Sequence, residues 1–215
     1  MAIEKCSRRT LLTVPLASVV ARAFAQERDF NVLPQNLPRP KDDGAARHLK
    51  GSAIPDLALP STSNRLVNLS RVASPRIVVY CYPMTGQPGK PSPPGWDDIP
   101  GARGCTLETS GFRDHHTDLI RLGAEVFGLS TQDTAYQQEM VARLKVPFEV
   151  LSDEHLALTR ALRLPTFTAA GLMLLKRLTL IVRARRIEQV FYPVFPPDTH
   201  AEAVIAWLKQ HPINT

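Results

Sequence analysis

Arg76-Ile77-Val78-Val79-Tyr80-Cys81-Tyr82 is the stretch on which the fold turns. It is an unbroken β-branched and aromatic run, the pattern of a central strand buried on both faces. Working outward, Cys105 to Leu122 carries Phe112, Leu119 and Ile120 at helical spacing, and Gly123 stops it. Val126-Phe127-Gly128-Leu129 reads as a strand, Asp133 to Leu144 as a helix with Tyr136, Met140 and Leu144 at four-residue steps. Phe148 to Leu151 is a short strand and Glu154 to Leu162 a short helix. Arg177 to Val182 and Ile187 to Phe191 form two strands around the basic turn Arg183-Ala184-Arg185-Arg186, and Ala201, Val204, Ile205 and Leu208 mark a closing helix. Upstream, Leu66-Val67-Asn68-Leu69 is a weak strand. Strand, helix, strand, helix, hairpin, helix predicts an α/β fold, a mixed central sheet with helices on both faces.

The 215 residues are 44% hydrophobic and 21% charged, enough for one core. Half of the net charge of +6 lies in residues 1–25, where Lys5, Arg8, Arg9 and Arg22 face Glu4 alone. No dense basic block remains for a nucleic-acid partner, and no run approaches the ~20 apolar residues of a stable membrane span. Residues 1–25 read as a signal peptide of the twin-arginine type: Ser7-Arg8-Arg9-Thr10-Leu11-Leu12, a moderately apolar stretch, then Ala23-Phe24-Ala25. This predicts export, to the periplasm if the signal is used; a chance basic leader on a cytoplasmic protein is the alternative. Residues 26–46 follow as a linker, proline-rich and polar from Asn31 to Asp43 and expected to run extended without packing. The folded domain is set at 47–213, with a long loop insertion at 84–104 rich in proline and glycine.

Three cysteines, Cys6, Cys81 and Cys105, are too few for a disulfide scaffold, and no CxxC occurs. Cys105 stands out. It follows Gly104 and opens a helix that carries Glu108 in its first turn. Free N–H groups at a helix start stabilise a thiolate, the reactive form of cysteine, so this thiol is expected to be acidified. Cys81 lies mid-strand, two residues before Pro83, and reads as a small buried apolar residue. His115-His116 lie on different helix faces and lack a third ligand, which argues against a metal site.

The residues resemble a family. Leu49 to Leu59, Tyr82-Pro83, Gly104-Cys105-Thr106 with Gly111-Phe112-Arg113-Asp114, Leu122 to Thr131 and Arg177 to Val182 are similar, in this order, to segments of peroxiredoxins. The similarity runs from about His48 to His211 and sits nearest the Q-type, or bacterioferritin-comigratory, subgroup. It implies a thioredoxin-like fold and a thiol peroxidase without a cofactor. Cys105 would be the nucleophile that peroxide oxidises to a sulfenic acid, and Arg177 the guanidinium that lowers its pKa and holds the peroxide. Pro83, Thr106 and Glu108 would support the site. The implied partners are a hydrogen peroxide or organic hydroperoxide substrate and an external thiol reductant, a thioredoxin-like protein or a small thiol.

Three departures stand beside the resemblance. The family places Thr or Ser three residues before the cysteine, where this chain has Ala102, leaving Thr85 or Thr106 to supply the hydroxyl. Many Q-type members carry a resolving cysteine where this chain has Ser110. The basic turn replaces the usual Asp or Gly. The expectation is a one-cysteine peroxidase, with Cys81 as a minority candidate for the resolving thiol. The alternative is a catalytically impaired thioredoxin-fold sensor or binding protein.

Overall fold

The computed structural model describes Phe30 and residues 32–213. Cys6 and the leader reading of residues 1–25 lie outside the described residues. Two short strands, β1 (Leu59–Pro60) and β2 (Leu66–Val67), pair with each other. The main sheet follows with β3 (Arg76–Cys81). After the long loop come helices α1 (Cys105–Asp114) and α2 (His116–Arg121), strand β4 (Ala124–Ser130), helix α3 (Thr134–Leu144), strand β5 (Val150–Ser152) and helix α4 (Ala157–Leu162). A small hairpin, β6 (Thr166–Ala169) and β7 (Leu172–Leu175), precedes β8 (Leu178–Arg183), β9 (Arg186–Phe191) and α5 (His200–Gln210).

The sheet order is β5-β4-β3-β8-β9, so the apolar run is the central strand, every residue of it buried. It pairs in parallel with β4 and antiparallel with β8. Side chains alternate along a strand, and the two cores divide accordingly. Ile77, Val79 and Cys81 face a core completed by Leu49, Leu69 and helix α4. Val78, Tyr80 and Tyr82 face the other, with α1, α2, α3 and α5. Helices therefore cover both faces. Gly128 of β4 leaves room for the Tyr80 ring, whose hydroxyl oxygen would sit 2.8 Å from any Cβ there. Ala184 and Arg185, both at positive φ, turn β8 into β9 in the sense that matches strand twist. Ile54 N–H binds the Arg185 carbonyl at 2.9 Å and helps hold that turn.

The structure departs from the sequence reading in several places. The helix expected over Cys105 to Leu122 breaks at His115, whose φ of −98° and ψ of 9° lie outside the helical well. The break turns the second segment, so Leu119 stays buried while Ile120 is 49% exposed. Leu69 opens a 3-10 turn instead of ending a strand, capped by Asn68. Arg177 immediately precedes β8 rather than lying in it. The β6–β7 hairpin was not anticipated; Ala170-Gly171, both at positive φ, turn it. The proline-rich segment expected to run free is packed: Asp43 pairs with Lys176 and accepts from the Tyr192 hydroxyl at 2.7 Å, and Arg39 lies over Phe195. The loop at 84–104 is also tied down. Trp96 is buried with Ala102, Ala169 and Leu174, its ring 6.2 Å from that of Phe167, and a short 3-10 turn spans Trp96–Asp98.

Candidate active site

The topology brings four stretches to one end of the sheet. Cys81 pairs with Leu178 at the end of β3, so Arg177 arrives opposite Tyr82, where the chain leaves the sheet through buried Pro83. The loop returns to start α1 at Cys105. Gly104, the residue before the helix, has φ of 101°, a region that disfavours side chains. A Cβ there would lie 2.3 Å from Pro197 Cγ, so only glycine fits.

Arg177 is the hub. It is 3% exposed, not the solvated strand-end charge its position allowed. Its Nη2 donates to Cys105 Sγ at 3.0 Å and also lies 3.3 and 3.2 Å from the carbonyls of Ala102 and Arg103. Its Nη1 pairs with Glu108 Oε2. One guanidinium therefore orients the thiol, the turn before it and the first-turn carboxylate together. Met84 adds a backbone N–H to the sulfur, a contact with no side-chain signature for sequence reasoning to find. The Cys105 thiol also lies 3.5 Å from the Ala102 carbonyl.

The electrostatics correct the expectation of a simply acidified thiol. Cys105 is 3% exposed, and burial pushes its pKa above the ordinary thiol value. The Arg177 charge draws it down, Glu108 pushes it up again, and the Met84 and Arg177 hydrogen bonds draw it down. Glu108 is fully buried, with Oε1 unpartnered among the described residues. Burial outweighs Arg177 there and raises the carboxyl to about 7. Burial lowers the pKa of Arg177, but Cys105 and Glu108 raise it further, so it stays charged. Two acids thus share one cation and titrate as a pair. A proton on Glu108 leaves the guanidinium to the thiolate.

The other expected residues sort plainly. Thr106 is buried beside Cys105 and lines the cavity above it. Thr85 does not replace the missing hydroxyl: its Oγ1 is engaged by Gln132 at 3.2 Å. Cys81 does not meet Cys105. It points to the opposite face of the sheet, with Ile77 and Val79, and both thiols are free. Its candidacy as resolving thiol fails on strand parity, since disulfide formation needs Cβ atoms that approach and face each other. Gln132 and Tyr136, neither foreseen as site residues, hold the loop: the Tyr136 hydroxyl donates to the Thr85 carbonyl at 2.8 Å, and Gln132 accepts the Thr85 N–H at 3.0 Å.

The long loop walls a cavity of about 390 Å³ that reaches Cys105, bounded by Phe30, Met84, Trp96 and Tyr136. Trp96 both anchors the loop and lines this cavity. The insertion is part of the site's wall, not a surface excursion.

Comparison with known proteins agrees with this arrangement. The Redoxin family profile matches residues 49–205. Peroxiredoxin Q, chloroplastic, of Oryza sativa subsp. japonica is 37% identical over 105 residues, 49% of this chain and 42% of that one. Peroxiredoxin Bcp of Escherichia coli (strain K12) is 27% identical over 165 residues, 75% of this chain and 96% of that one. The match thus spans less than half of the rice protein and nearly all of the bacterial one. A solved structure of the Xanthomonas campestris bacterioferritin comigratory protein, described for its alkyl peroxide reduction activity, is 25% identical. It superposes with a TM-score of 0.57, covering 82% of this chain and 98% of that one. The five-stranded mixed sheet is thioredoxin-like, and the chain belongs to the Redoxin family, on the side of its Q and Bcp peroxiredoxins.

Proposed function

We propose that the protein is a thiol peroxidase with Cys105 as its nucleophile. The observation that carries this is the 3.0 Å contact between the Arg177 guanidinium and the Cys105 sulfur at the floor of a cavity. The Cys105 thiolate attacks one peroxide oxygen. An S–O bond forms as the O–O bond breaks, and the leaving oxygen takes up a proton as water or alcohol. The sulfur becomes a sulfenic acid. Arg177 holds the peroxide in line and stabilises the charge growing on the leaving oxygen. Glu108 positions Arg177 and exchanges a proton with the same pair. The apolar wall of the cavity, with Met84 and Trp96, favours an organic hydroperoxide, in keeping with the alkyl peroxide reduction described for the Xanthomonas relative.

The test is peroxide consumption with dithiothreitol as reductant. Wild type should turn over, and Cys105→Ser should lose the activity completely. A Cys105→Ser variant that kept full activity would remove Cys105 from the mechanism. The competing reading, a thioredoxin-fold protein that senses or binds without turnover, draws on Ala102 and on the burial that raises the thiol. It is favoured if wild type reacts no faster than free cysteine. Export is a separate part of the proposal, resting on Lys5, Arg8, Arg9 and Ala23-Phe24-Ala25. Periplasmic protein should have an intact mass short of residues 1–25, and a full-length cytoplasmic product would refute it.

A further inference from the structure

A sulfenic acid at Cys105 must be reduced, and three observations bear on what can do it. First, no second sulfur of this domain is placed to help. Cys81 is on the other side of the sheet, and Ser110 stands where a resolving thiol would be. Second, access is narrow. The sulfur lies at the floor of the cavity of about 390 Å³, a volume typical of small-molecule sites. Its wall is fixed. Arg143 donates to the Gly86 carbonyl at 3.0 Å, Phe30 packs where a Gly86 side chain would be, and Trp96 is buried against the β6–β7 hairpin. A cysteine on a folded protein surface meets the proline rim at Pro91, Pro93 and Pro94, whereas a small thiol passes it.

Third, the lining has a sign. It includes Lys90 and Arg103 and no carboxylate. Arg103 is engaged with Asp97 and with the Phe30 ring, so Lys90, exposed at the rim, is the cation an incoming anion meets. At the floor, the first-turn N–H groups of α1 lack intrahelical partners and favour negative charge beside the sulfur.

We infer that the cavity is the subsite of a low-molecular-weight anionic thiol, a carboxylate-bearing peptide thiol in size and charge, and that this thiol reduces the Cys105 sulfenic acid. The inference rests on the peroxidase reading. The thiolate attacks the sulfenic sulfur, an S–S bond forms, the S–O bond breaks, and the hydroxyl leaves as water with one proton. A second thiol attacks the mixed disulfide, releasing the symmetrical disulfide and the Cys105 thiol. Two thiols are oxidised and one sulfenic acid is reduced.

The experiment separates the two steps. The full chain is oxidised with one equivalent of hydrogen peroxide, and dimedone trapping at Cys105 is scored by mass spectrometry. Failure at this stage rejects the peroxidase reading itself. Preformed sulfenic acid is then mixed, at matched thiolate concentration, with glutathione, 2-mercaptoethanol, cysteamine or reduced thioredoxin. The anionic glutathione should react fastest and cationic cysteamine slowest, about tenfold apart at low salt and converging at high salt. Mixed disulfide should accumulate at Cys105, and Lys90→Glu should reverse the order of the charged thiols. Reduction by thioredoxin faster than by glutathione, or rates blind to charge in both wild type and Lys90→Glu, would overturn the inference.

Discussion

Cys81 and Cys105 sit at the same end of the sheet and are almost equally hidden, 0% and 3% exposed, yet they meet opposite surroundings. Cys81 ends the central strand facing hydrocarbon, among Ile77, Val79 and Leu129. Burial raises its pKa well above that of a free thiol, and the nearby acids Glu108 and Asp153 push it further up. Cys105 is raised by burial too, but Arg177 opposes that push, and a cavity opens above it. Burial alone therefore does not separate an inert thiol from a reactive one. What separates them is which face of the strand the neighbourhood occupies, and whether a cation was buried there too.

The largest test of that contrast after Cys105 itself is Arg177→Met. It keeps the bulk and removes the charge and the donors. Sulfenic acid formation, followed by stopped flow, should slow by about 10²- to 10³-fold, the range for losing one donor to a developing charge. A loss below about threefold would mean that the guanidinium only braces the turn.

Glu108→Gln should act more gently and in the opposite sense on the thiol. Glu108 raises the Cys105 pKa by competing for Arg177, so a neutral amide should lower it. Thiolate absorbance titrated against pH checks this, and an upward move would contradict the shared-cation picture. The sign in wild type follows. Below the Glu108 value of about 7 the carboxyl is protonated and the guanidinium faces the sulfur alone; above it, two anions compete. The mutation should therefore steepen the rise of reactivity with pH and move it to lower pH.

The smallest effect is expected at the partner in the comparison. Cys81→Ala should leave peroxide turnover within about twofold and cost about 1 kcal/mol of stability, the scale for deleting one buried heavy atom. Denaturant unfolding and the peroxidase assay together measure it. In wild type, iodoacetamide should label Cys105 and spare Cys81 until the chain unfolds. Labelling of Cys81 in the folded protein would erase the distinction.

Much of this was legible in one dimension. The β-branched run from Arg76 to Tyr82 announced the central strand, because burial on both faces demands apolar residues at every position. Ala201, Val204, Ile205 and Leu208 announced α5, because a helix against a sheet hides one stripe. Gly104 before Cys105 marked the helix start, because the left-handed turn there admits no side chain. These are local demands of backbone and burial, and a sequence states them directly. Other features depended on where the chain returned. Arg177 is separated from Cys105 by 72 residues and is brought to it by the antiparallel pairing of β8 with β3. The Met84 N–H belongs to the backbone and leaves no mark in the residue code. Cys81 missed Cys105 because alternation along β3 sends it to the other face, which the sequence could not show without the position of α1. The balance of charge at the thiol came last. It is set by how much water the fold excludes, and desolvation is a property of packing, not of any residue by itself.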